Sequence, residues 1–140
     1  MNSQYCFIEQ ALPSKENLQA AIDSLGFGLK LDTELDLNSD EGFSPCKLND
    51  YDDVGFEIEC GTIDELFDED EAFEKQIGNR KNYISMSWGG NFEDCLCVLI
   101  TALAMVKSFD AVTTYDCEEA DSIEDIEGGI QECLKELGKG

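Results

Sequence analysis

Asp50, Asp52 and Gly55 stand at positions 1, 3 and 6 of a calcium-binding loop, where oxygen ligands and a sharp turn are required. Position 5 of that loop is Val54, however, and position 12, which needs a bidentate acid, is Gly61. A start at Asp32 supplies Glu34 and Asp36 but puts Leu37 at the glycine and Phe43 at the final acid. A start at Asp64 puts Leu66 at position 3. None completes the ligand set, and loose attraction of divalent ions is all that such acid clusters imply. Zinc needs paired Cys or His ligands two to four residues apart. The chain has no histidine, and its one close cysteine pair, Cys95 and Cys97, lies in an apolar run. Without histidine the commonest general base and the usual Ser/His or Cys/His nucleophile are gone as well. Carboxylates are so numerous that a glycosidase-like pair arises by chance. Trp88-Gly89-Gly90-Asn91 lacks the Lys and Ser/Thr of a phosphate loop and reads as a tight turn. We therefore expect no catalytic residue, no metal site and no cofactor.

What remains is charge. The 140 residues carry 32 Asp plus Glu against 9 Lys plus Arg, a net −23. Such a chain repels nucleic acid and anionic membrane and attracts basic surfaces, with encounter rates raised by about 10 to 10³-fold at low salt. The acids are not evenly spread: 14 of the 32 fall within residues 40–74 and 3 within residues 81–110. The candidate contact residues are therefore Asp50, Tyr51, Asp52 and Asp53, then Glu57 and Glu59, then Asp64, Glu65, Asp68, Glu69, Asp70, Glu71 and Glu74. Tyr51, Phe67 and Phe73 are aromatics in that acidic setting, the residue type on which interfaces concentrate their energy. The bland alternative is a set of solvated faces that serve solubility alone.

The elements that must position these residues are organised around residues 91–110, where no charge falls between Cys95 and Val106. Phe92, Cys95, Leu96, Leu99, Ala102, Leu103 and Val106 recur at helical spacing, and Val98, Ile100 and Met105 fill much of the remaining circumference. The run is too short for the roughly twenty residues that span a bilayer, so it is predicted to be a core helix. Before it, residues 5–9 read as a strand. Ser14 caps a helix striped by Leu18, Ala21, Ile22 and Leu25, which Gly26 ends. Residues 29–37 alternate most cleanly, with Leu29, Leu31, Leu35 and Leu37 on one side and Lys30, Asp32, Glu34 and Asp36 on the other. Residues 38–53 read as a loop, with a short extended piece at 44–48. Residues 54–60 form a strand with Val54, Phe56, Ile58 and Cys60 inward. Residues 61–79 hold a helix or two turns anchored by Ile63, Leu66, Phe67 and Ile77. Strands follow at 83–88 and 111–117. Ser122 and Asp125 cap a last helix striped by Ile123, Ile126, Ile130, Cys133, Leu134 and Leu137, weakened by Gly128-Gly129.

The expected fold is one α+β domain over residues 1–140: a single sheet of about five strands, helices mainly on one face, on a split βαβ, ferredoxin-like plan with additions. The other face would then carry Lys30, Asp32, Glu34, Asp36, Glu57, Glu59, Tyr83, Ser85 and Ser87 as an open, acidic surface. The seven cysteines show no disulfide framework and are expected as reduced thiols, with Cys95 and Cys97 pointing to different sides of their helix. The first ten residues do not read as a signal peptide, which points to the cytoplasm.

The segments LPSKENLQAAIDSLGFGLKLD, GFSPCKLNDYDDVGFEIE, ISMSWGGNFEDCLCVLITALA and FDAVTTYD together resemble a group of small acidic bacterial proteins, the immunity proteins of interbacterial toxin systems, over roughly residues 5–117. That resemblance implies a stoichiometric cytoplasmic inhibitor that binds one cognate toxin domain and covers its active site. Such families share no catalytic residues, so none is carried over. A nucleic-acid mimic of the anti-restriction or anti-CRISPR kind is the alternative, but it needs carboxylates strung along an elongated surface, about one charge per 1.7 Å of duplex axis. An acidic housekeeping domain without a basic partner is the third reading. The oligomeric state is not legible.

Overall fold

The structure, a computed structural model, describes residues 2–32, 35, 37, 41–48, 51–63, 75, 77–115 and 120–138, without the side chains of Glu41, Asp52 and Asp53. Its central element is helix α2, Phe92–Phe109. Asn91 caps it as expected, its Oδ1 accepting the Asp94 N–H at 2.8 Å. Leu96, Cys97, Val98, Ile100, Ala102, Leu103, Ala104 and Met105 are all buried, so neighbours surround most of the helix. Each large aliphatic side chain buried in this way stabilises the fold by about 1.5–3 kcal/mol. Helix α1, Lys15–Asp23, starts at Ser14, and Gly26 follows it in the left-handed conformation. Helix α3, Ile123–Glu136, opens with the full capping box between Ser122 and Asp125.

Helix α2 packs across one face of a six-stranded sheet, with α1 and α3 packed against α2 on that side. Its strands are β1 Asn2–Ile8, β2 Leu29–Lys30, β3 Glu41–Leu48, β4 Tyr51–Thr62, β5 Asn82–Trp88 and β6 Val112–Tyr115, in the order β2-β3-β4-β5-β1-β6. Every neighbouring pair is antiparallel. Both β5 and β6 are antiparallel to β1, which lies between them, so they are parallel to each other and α2 joins them in a split βαβ unit. Cys6 and Ile8 of β1, Val54, Phe56 and Ile58 of β4, and Ile84, Met86 and Trp88 of β5 point into the core shared with the helices. No helix among the described residues is long and apolar enough to cross a membrane.

The sheet has six strands where the sequence suggests five, and the sixth is β3. Pro45 and the polar run before it argue for a loop, because proline cannot donate to a ladder. Here Pro45 lies opposite Gly55, whose N–H turns away from β3 to the Asp94 carboxylate at 3.0 Å, so the two residues form a pair that exchanges no ladder bonds and the missing proline N–H costs none. A side chain on Gly55 would run into the Ser44 carbonyl oxygen, and the Phe43 ring covers the place it would occupy. Conversely, among the described residues of the strand expected at 29–37, only Leu29–Lys30 are strand. Gln19 of α1 takes over beyond it, accepting the Leu31 N–H at 2.7 Å and donating to the Leu29 carbonyl at 2.9 Å. A turn then closes from the Leu35 N–H to the Asp32 carbonyl at 3.2 Å. Leu29, Leu31, Leu35 and Leu37 are all buried nonetheless. Alternating leucines mark what is buried; a turn satisfies them as well as a ladder does.

Candidate docking site

The face of the sheet turned away from the helices is not uniformly open. At its β1–β5 end, Phe7, Ile77 and Tyr83 form a second cluster, each almost wholly buried, with Tyr5, Ile63 and Val112 packed round it. Phe7 and Tyr83 lie 6.5 Å apart between ring centres, tilted by 44°, and Tyr5 stacks on Phe7 at 6.1 Å. Tyr83, expected on an open acidic surface, is therefore core, and Ser85 beside it is buried too. The cover comes from both ends of the acidic segment. The Ile63 N–H bonds the Lys81 carbonyl at 2.9 Å, while Arg80 clamps the other end by donating to the Ile77 carbonyl at 3.1 Å and the Asp110 carbonyl at 3.0 Å. Asp110, in the left-handed region at φ 53°, also receives an Arg80 Nη at 3.2 Å.

The β3–β4 end is different. Glu57 and Glu59 are exposed and flank an open recess of about 360 Å³, lined by Gly42, Glu57, Ile58, Glu59 and Ser87. Phe43, 62% exposed, stands opposite Glu57 in the register. Glu59 is held in place: its Oε1 accepts the Tyr83 hydroxyl at 2.8 Å, so a phenol rooted in the closed cluster positions a carboxylate on the open one. The arrangement offers two carboxylates and an apolar ring on one surface, which suits a basic, partly apolar partner.

Of the candidate contact residues, Glu57 and Glu59 are the two that the structure brings together. Tyr51 goes elsewhere. The β3–β4 register shifts between Cys46 and Leu48, so that Leu48 faces Tyr51 while Cys46 faces Val54. The extra residue in β4 moves Tyr51 to the helix side, where it packs half-buried against the main core. Asp50, Asp64, Glu65, Asp68, Glu69, Asp70, Glu71 and Glu74 lie outside the described residues, as do the Asp52 and Asp53 side chains; so do Leu66, Phe67 and Phe73 of the helix expected there. Phe43 and Gly42 escape the sequence reading, whereas Ser87 lies on the face where it is expected. The signal for Phe43 was the alternation of Phe43, Pro45 and Lys47 with Ser44, Cys46 and Leu48, blunted because Ser44 and Cys46 are weak core residues.

Among the described residues no group of acids or thiols is arranged to hold a metal ion. The thiols fall in neighbouring pairs instead: Cys97 lies near Cys46 and Cys95 near Cys133, so the two helix positions do face opposite ways. Cys6 donates to the Thr113 hydroxyl at 3.5 Å, and burial pushes its thiol up to about 12. Comparison with known protein families, with curated proteins and with solved structures gives no match to this chain.

Proposed function

We propose that the protein is an acidic, protein-binding inhibitor of the immunity-protein kind, which occludes the basic active-site region of a cognate toxin domain in the cytoplasm. The observation that supports this most is the open half of the far face. There Glu57 and Glu59 stand beside a recess and an exposed Phe43, and the chain enters and leaves the acidic residues 64–74 by Ile63 and Ile77 on that same face. On this reading the carboxylates steer a basic partner in, and Phe43 with the recess sets the lifetime of the complex. The reading also takes β6-β1-β5-β4 as the ferredoxin-like part of the sheet and the β2–β3 edge as an addition to it. Neither catalysis nor a cofactor is part of the mechanism.

The test is copurification with the product of the neighbouring gene, followed by binding kinetics of Glu57→Lys and Phe43→Ser. Glu57→Lys is expected to slow association and flatten its salt dependence; Phe43→Ser is expected to speed dissociation. A complex indifferent to both changes excludes this surface, and equal competition with DNA for several unrelated DNA-binding proteins excludes the inhibitor in favour of a nucleic-acid mimic.

A further inference from the structure

The helix side of the molecule holds a feature that the docking reading leaves unused. Helices α2 and α3 approach most closely where Gly129 meets Leu99: a Cβ on residue 129 would stand 3.0 Å from Leu99 Cδ1. One turn back along α2 is Cys95, and one turn onward along α3 is Cys133. Residues four apart share a helix face, so the close approach at Gly129 also brings these two thiols near one another, and each influences the other's ionisation. The pairs 99–129 and 95–133 run in opposite senses along the two helices, which are therefore antiparallel. Gly129 weakens α3 as a helix, yet it lets the two helices pack closely where Leu99 meets it.

We propose that Cys95 and Cys133 form a reversible disulfide that staples α3 to α2. Cys95 is partly exposed, which gives a solvent-borne oxidant its way in, while Cys133 is 4% exposed. The second thiol pair supplies a contrast: Cys46 is 3% exposed and Cys97 is fully buried, so proximity alone does not make them reactive. The oxidant is a low-molecular-weight disulfide. A thiolate of the pair attacks one of its sulfurs, the S–S bond breaks, and one small thiol leaves. The other protein thiolate then attacks the protein sulfur of the mixed disulfide, forming the Cys95–Cys133 bond and releasing the second small thiol. The two protein protons end on the two small thiols; the protein loses two electrons and the oxidant gains them. The neighbouring Cys95 thiol lowers the Cys133 thiol from its ordinary value against the pull of burial and of the Glu132 carboxylate, which eases the first ionisation of the pair. Because α3 packs chiefly on α2, the staple converts a helix held by side-chain packing into one that cannot detach.

The experiment is incubation of the reduced full-length protein with glutathione disulfide, read by intact mass and peptide mapping. The expected result is loss of two hydrogens, a single link between the peptides carrying Cys95 and Cys133, and full reversal by dithiothreitol. The oxidised protein should melt about 5 °C or more higher, and the amides of residues 123–136 should exchange more slowly. Cys46→Ser is expected to leave the link intact and Cys133→Ser to abolish it. Glutathione adducts without the link, a link between Cys46 and Cys97, or no reaction under conditions that oxidise a free dithiol each overturn the proposal. Since this pair lies on the helix side, partner binding through Glu57 and Phe43 is a separate outcome that neither result decides.

Discussion

The two ends of the far face belong to one continuous sheet, β1 and β5 at one and β3 and β4 at the other, yet one is closed and the other open. At the closed end Phe7 and Tyr83 are 0% exposed beneath Ile63 and Ile77; at the open end Phe43 is 62% exposed beside Glu57. Aromatic content therefore does not separate them. What differs is whether a neighbouring segment is tied down on top. Arg80 and the Ile63–Lys81 bond hold a cover over the first, and among the described residues nothing comparable lies over the second. An aromatic becomes core or contact surface according to what is anchored beside it, and only the anchored kind should matter strongly for stability.

The sharpest way to break this comparison is to truncate one aromatic at each end. Phe7→Ala is expected to destabilise the fold by about 3–5 kcal/mol, while Phe43→Ala should cost well under half of that; urea unfolding of the two variants checks it. Equal losses would mean that Phe43 is structural. Next in size is Gly55→Ala. Its side chain would collide with Ser44 and displace Phe43, in a backbone conformation at φ 154° that disfavours a Cβ. A loss of about 2–3 kcal/mol is expected in the same assay. Asp94→Ala removes the acceptor of the Gly55 N–H and a first-turn acid, for about 1–2 kcal/mol. Its local signature is faster exchange of the Gly55 amide.

The smallest effect is the acid response of α3, far from both ends. Hydrogen bonds from the Ser122 backbone N–H, and then from its hydroxyl, hold Asp125 below the ordinary carboxylate value. A depressed carboxylate contributes stability above its unfolded pKa, near 4, and loses it as the pH falls through the folded value. The first turn of α3 should therefore fray below about pH 4, and Asp125→Asn should remove that pH dependence. Amide exchange along residues 123–136 measures both.

The sequence reading works best where one signal suffices. The uncharged run of α2, the caps at Ser14, Asn91 and Ser122, and the alternation of β4 and β5 each need only local chemistry, and all are found in the structure. It fails where a distant partner decides. Pro45 is tolerated in β3 because the N–H of Gly55 opposite it is turned away to Asp94, 39 residues further on, which makes theirs a pair without ladder bonds. The strand at Leu29 stops early because Gln19 supplies the hydrogen bonds a neighbouring strand would give. Tyr51 changes face because of one extra residue in β4, and a bulge leaves no mark in a pattern of alternating side chains. Tyr83 was placed outward correctly, but its burial depends on Ile77 and Arg80, which no local window includes.

Strand β4 runs past the end of β5, so residues 51–56 have a strand neighbour on one side only, and the Asp94 carboxylate supplies a bond on the other. That bond, together with the core packing of Val54 and Phe56, ties the hairpin to the N-terminus of the central helix, so a change in the hairpin is felt where that helix begins.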